Sequence, residues 1–139
     1  IAVVIMAILA AIAYPAYTGF VAQARRSDAH IALTRAAALQ EKFFWICSRY
    51  TVTLAGMFPS AGACNGAGLG YRVTSPEGHY ALAVTPGPTG DIATSFAITA
   101  TAIGAQATAD GGNCTSMTLT STGAKTAAGS LGAARCWKG

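Results

Sequence analysis

The chain has 139 residues, 53% of them hydrophobic and 10% charged, with a formal net charge of +4. Set apart from its apolar opening run, the remainder is long enough for one small domain and no more. The nine basic residues are scattered, which reads as a solvated face and not as a block built for an acidic partner.

The opening run, residues 1–24, carries no charge and ends at Arg25-Arg26. At 1.5 Å per residue it rises about 36 Å as a helix, enough to cross a hydrocarbon core of about 30 Å. Pro15 leaves the Ala11 carbonyl without its helical donor, a defect of about 3 kcal/mol in an isolated helix interior. Gly19 weakens the same region one turn later. Ala11-Ile12-Ala13 mimics a signal-peptide cleavage site, but the helical pattern runs smoothly past it. The chain does not open on Met, which points to a processed or truncated product.

From Ser27 the pattern stays helical and becomes one-sided. Ala29, Leu33, Ala36, Gln40, Phe43, Cys47 and Tyr50 recur at three- and four-residue spacing, widened by Ala32, Ala37, Phe44 and Ile46. Arg35, Lys42 and Arg49 fall on another face. No Gly/Pro punctuation separates residues 20 and 27, so one helix is expected through residue 50, its stripe covering a sheet. Gly- and Pro-rich residues 51–70 then form a long connection, which needs a tie in a small domain. Strand patterns follow at 71–74, 79–85, 95–102 and 116–120, with a Ser75-Pro76-Glu77-Gly78 turn between the first two. Residues 104–113 read as a turn-rich connection and 121–139 as a weakly structured tail. The expected architecture is α+β: a long N-terminal helix, its hydrophobic half protruding, packed on a four-stranded antiparallel sheet.

Four cysteines stand at 47, 64, 114 and 136. An even count behind an apolar segment reads as two disulfides in an oxidising compartment. A Cys47–Cys64 bridge would staple the long connection to the helix end, and a Cys114–Cys136 bridge would close the tail. The spacings lack the paired ligands of a zinc site, and His30 and His79 lie outside any such pattern. His30 is expected on the solvated or subunit-facing side of the helix. His79 opens a strand beside Glu77, with no nucleophile in register. There is no GxSxG, P-loop or HExxH motif, so no enzyme, metal or cofactor is expected.

Four pieces of the chain resemble a type IV pilin of the Gram-negative kind, major or minor. They are the apolar segment ending AAIAYPAYTGFVAQARRSDA, the continuous amphipathic helix with Phe43-Phe44, the stretch FAITATAIGAQATADGGNCTSMTLTSTGAKT, and the closing Cys136-Trp137. The third piece is similar to minor pilins of the DNA-uptake group. The resemblance implies a methylated N-terminal residue with a glutamate four residues on, both within about seven residues expected to precede Ile1. It implies that Cys114 and Cys136 bound the family's C-terminal loop. It also implies bilayer storage in the bacterial inner membrane, handling by the pilus assembly machinery, and polymerisation into a homo-oligomeric helical filament on the cell surface, for adhesion, twitching motility or DNA uptake. Residues 1–24 would form the filament core and 25–139 the head, with Ala7, Ala11, Pro15 and Gly19 marking the stretch where the assembled helix yields. Arg25-Arg26 would by charge alone flank the cytoplasm. The cysteines require the opposite side, and pilin leaders carry the basic residues that set topology.

Three functions are compatible with this resemblance: a filament subunit, a minor pilin that captures DNA, and a secretion pseudopilin. The acidic calcium cluster of some pseudopilins is missing. For DNA, the candidate contacts are Arg72, Lys125, Arg135 and Lys138, with Trp137 either stacking on a base or buried against the disulfide.

Overall fold

In the computed structural model, which describes residues 1–138, a single helix runs unbroken through both the apolar and the amphipathic halves of the chain. This helix, α1, spans Ala2–Cys47. Pro15 does not interrupt it in the isolated subunit, where the Thr18 hydroxyl donates to the Pro15 carbonyl at 2.9 Å. The helix stops three residues short of Tyr50. Ser48 turns left-handed (φ 53°) and its N–H closes on the Phe44 carbonyl at 2.7 Å. Released from the helix, Tyr50 meets Phe96 edge-on and Phe44 at a tilt.

Four strands form one antiparallel meander in the order β1-β2-β3-β4: β1 Tyr80–Pro86, β2 Phe96–Ala102, β3 Ser116–Thr120 and β4 Lys125–Ala128. Register aligns Leu82, Ala100 and Met117 in one row and Val84, Ile98 and Leu119 in the next. All six are buried. Period-2 alternation puts them on one sheet face, where they meet Ala29, Ala32, Leu33, Ala36 and Phe43 of α1. The helical stripe and the strand alternation thus bury each other, as the sequence pattern implies.

The count of four strands is right, but one strand is not where the pattern put it. Residues 71–74 make only a stub against β1: Leu82 N–H bonds the Val73 carbonyl, and Thr74 forms an isolated bridge with Ala81. The stub is hemmed in by Gly70 and Pro76, and the expected turn follows it, with Gly78 N–H on the Ser75 carbonyl at 3.0 Å. The fourth strand lies instead in the presumed tail. Its KTAA sequence has little strand propensity, and it gains its structure from the ladder with β3. Two short helices were also missed: α2 (Gly104–Ala109), inside the turn-rich connection, and α3 (Gly132–Cys136), behind β4.

The long connection after α1 folds on itself. Leu69 N–H bonds the Thr53 carbonyl and Tyr71 N–H the Leu54 carbonyl, and Leu54 and Leu69 are buried. Gly68 passes so close to Ala55 that a Cβ there would lie 2.0 Å from the Ala55 carbonyl oxygen. Disulfides join Cys47 to Cys64 and Cys114 to Cys136, so both loop regions are tied to α1 or to the sheet. We expect Gly68→Ala to destabilise the head by about 1–3 kcal/mol. Gly19→Ala, with nothing within 4 Å of the new methyl, should be neutral or slightly stabilising. Chemical unfolding of the full chain in detergent measures both.

Candidate functional site

Residues 1–20 stand clear of the head. All are exposed except Thr18, and the first buried residue is Ala22. Ala7, Ala11, Pro15 and Gly19 all lie on this free part. Where the helix enters the head, a buried polar collar grips it. Arg26 makes a two-pronged contact with Asp110, Nε to Oδ2 at 3.1 Å and an Nη2 to Oδ1 at 2.5 Å, with both side chains under a tenth exposed. Asp110 ends α2. One turn back in α2, Gln106 donates to the Ala22 carbonyl and to the Tyr80 hydroxyl, each at 3.0 Å. On the other side of the helix, buried Asp28 accepts from the Ser75 hydroxyl and from Glu77 N–H.

Arg26 is therefore part of the head's interior, not a membrane-flanking charge. The two partners are far apart in the chain, so no local pattern announces the pair. Burial inside this collar raises the Tyr80 hydroxyl above its usual pKa, against the hydrogen bond from Gln106.

A second cluster surrounds the Cys114–Cys136 bridge. The Trp137 ring lies parallel to His30 with centroids 5.0 Å apart, and its Nε1–H donates to the Thr126 carbonyl at 2.9 Å. Lys125 Nζ sits 5.1 Å from the ring centroid. With an imidazole and an ammonium already against it, Trp137 is not a free base-stacking platform. His30 is half-buried, not solvated, and its Nε2 lies 3.1 Å from the Cys136 carbonyl. Burial is the main cause that lowers its pKa below 6.5. The Cys136 contact opposes the shift, and Lys125 and Arg26 add to it.

The DNA candidates divide between the two sheet edges. Lys125 is on β4, and exposed Arg135 and Lys138 lie in and just after α3, which packs beside β4. Arg72 is at the opposite edge, next to β1, where it shares a cleft of about 360 Å³ with Arg35, Tyr71 and Thr74. Sequence reasoning had not linked Arg35 with Arg72. The His79 imidazole lies 3.6 Å from the exposed Glu77 carboxylate. Among the described residues no His, Cys, Asp and Glu group is arranged to hold a metal ion.

A family model described as "Type IV minor pilin ComP, DNA uptake sequence receptor" matches residues 15–118. The chain belongs to this family. The matched span opens at Pro15 and closes within β3, so β4 and α3 lie beyond it. A solved type IV pilin from Shewanella oneidensis is similar in fold, with a TM-score of 0.50 at 19% identity, covering 75% of this chain and 89% of that one. No curated protein matches the chain. A pilin is a structural subunit that assembles with other pilins into a pilus, and α1 is long and apolar enough in its first half to cross a membrane.

Two measurements follow from the clusters. Asp110→Ala strands a buried guanidinium and should cost about 3–5 kcal/mol, whereas Arg26→Met with Asp110→Leu should recover much of that loss. His30 has a lowered pKa in the fold, so the neutral form is favoured there. Its contribution is complete above pH 6.5 and is lost as pH falls through the folded value. The melting temperature of the full chain should therefore fall on going from pH 7.5 to about 5.5, and His30→Phe should flatten that slope.

Proposed function

We propose that this chain is a minor pilin that enters the type IV pilus through residues 1–24 and carries a DNA-contact face at the β4–α3 edge. The observation that carries the DNA reading is an unopposed charge. From residue 111 to the end, Lys125, Arg135 and Lys138 are the ionisable side chains, and Asp and Glu are absent. The fold gathers that segment at one edge, rigidified by the Cys114–Cys136 bridge. The family's description as a receptor for a DNA uptake sequence supports the reading. Arg35 and Arg72 form a second cationic patch at the far edge, inside the matched span.

On this reading, phosphates neutralise the three cations and release counterions, so affinity falls steeply with salt. Bases would be read by polar loop groups and not by Trp137, whose ring is engaged. Before assembly the helix is held in the inner membrane, and the assembly machinery transfers its apolar surface to neighbouring subunits of an open helical polymer. The stretch from Ala7 to Pro15 loosens in the crowded core, where unpaired carbonyls find new partners.

A second reading, the repeating subunit of a homopolymeric filament used for adhesion or twitching, rests on the same exposed helix. Abundance in sheared pili separates the two, because a minor pilin is a trace component. For the DNA face, the full chain in detergent should bind duplex DNA with a log–log salt slope. Lys125→Ala, Arg135→Ala and Lys138→Ala together should reduce that slope by up to about 2.7. No binding by the native chain at low salt would remove the DNA reading.

A further inference from the structure

The chain has two asparagines, Asn65 and Asn113, and one Asp-Gly step, Asp110-Gly111. At each of them the next backbone nitrogen could attack the side-chain carbonyl carbon and close a succinimide ring. The fold blocks the last two. The Asp110 carboxylate is buried and gripped by Arg26, and the Gly111 N–H donates to the Thr108 carbonyl at 3.2 Å. Asn113 Oδ1 accepts from the Ser130 hydroxyl at 2.9 Å, and the next residue, Cys114, carries a side chain and is fully buried in its disulfide.

Asn65-Gly66 is the open case. Both residues are exposed, in a turn of the long connection where Gly66 is left-handed at φ 72°. Among the described residues the Gly66 N–H has no hydrogen-bond acceptor, and glycine has no Cβ to obstruct its approach. The carbonyl it would attack is already polarised. Arg49 Nη2 donates to Asn65 Oδ1 at 3.2 Å and to the Cys64 carbonyl at 3.1 Å. Arg49 and Asn65 are 16 residues apart, and the Cys47–Cys64 bridge holds their segments together. A hollow of about 380 Å³ beside Arg49, Cys64 and Gly66 leaves room for water at the same place.

We propose that Asn65-Gly66 is a self-modification site, at which the folded chain deamidates Asn65 through a succinimide with Arg49 promoting the reaction. Hydroxide takes the Gly66 amide proton, and the nitrogen forms a bond to Asn65 Cγ. Negative charge gathers on Oδ1, the atom to which the Arg49 guanidinium already donates, so that hydrogen bond strengthens as the charge develops. The Cγ–Nδ2 bond then breaks, and ammonia leaves with a proton taken from water, which returns the hydroxide. Water opens the ring at either carbonyl. One opening gives aspartate; the other gives isoaspartate, with the main chain rerouted through Cγ. The sum is amide plus water to carboxylate plus ammonium, with no oxidant, metal or enzyme. The new carboxylate forms beside Arg49 and pairs with it, and the formal net charge falls by one from +4. An exposed cation at the end of α1 is thereby neutralised in proportion to the age of the chain. The site is independent of both the pilus and the DNA readings.

The test incubates the full chain in detergent at mildly alkaline pH, with its disulfides intact, and follows each segment by peptide mass mapping. The expected result is a growing fraction of acid at position 65 and none at 113. Isoaspartate should accompany aspartate at 65 and be missing at 110, and the rate should rise with pH. Arg49→Ala should slow the reaction at least about threefold in the folded chain, a fraction of what an oxyanion donor supplies in a water-excluded site, and Arg49→Lys should restore part of the rate. In the reduced, urea-unfolded chain Arg49→Ala should have no effect, which separates the fold's contribution from that of the Asn-Gly sequence alone. A stable amide at 65, acid without isoaspartate, or equal rates for the folded native and Arg49→Ala chains would each overturn the proposal.

Discussion

The fold turns on how one helix passes from a free, apolar first half into the packed head. At that crossing Arg26 is locked to Asp110, and Gln106 holds the Ala22 carbonyl. A guanidinium at this depth is tolerable only because its two-pronged partner is buried with it. The pair does more than satisfy a charge. It joins α1 to the end of α2 and fixes where the free helix stops and the packed helix starts. Asp28 repeats the device two residues on, across the helix, taking its two donors from the Ser75–Gly78 turn. The helix is thus oriented by polar contacts as well as by its apolar stripe.

The stripe itself is built of small residues. Ala29, Ala32 and Ala36 are fully buried against the sheet, and only Leu33 and Phe43 bring bulk. A thin core of this kind buries limited apolar area. The two disulfides compensate by limiting the unfolded chain, one at each loop region that has few apolar contacts of its own. The corner around Cys136 gains further rigidity from the His30–Trp137 stack and from the indole N–H on β4. That is why the last strand can be as bland as KTAA. It is held by its neighbours and by the bridge behind it.

Charge follows a division of labour. Two acidic groups, Asp28 of α1 and Asp110 at the end of α2, are spent inside the head, while Glu41 of α1 stays exposed. What stays outside is mostly cationic. The fold sets Lys125, Arg135 and Lys138 near the β4 edge and Arg35 with Arg72 near the β1 edge, while Lys42 and Arg49 stay along the end of α1. The chain is positive by composition, at +4, and burying Asp28 and Asp110 with the single cation Arg26 leaves the exterior slightly more so.

The long helix, its amphipathic stripe and the antiparallel sheet were legible in the sequence because both partners carry clean periods, 3.6 in α1 and 2 in β1 to β3. The family resemblance was legible too, in the stretch from Pro15 through the amphipathic helix and in FAITATAIGAQATADGGNCTSM, which fall within the matched span. Other features had no local signature. The 71–74 segment alternates like a strand, yet only its end reaches β1. Residues 125–128 do not alternate, yet the register of β3 makes them a strand. Arg26 with Asp110, His30 with Trp137, and Arg35 with Arg72 are pairs whose members lie far apart in the chain. Periodicity reports how one element presents its own faces. Pairings across such separations arise only when the elements pack, and that step, decided by the tertiary structure, set the collar, the engaged indole and the two cationic edges.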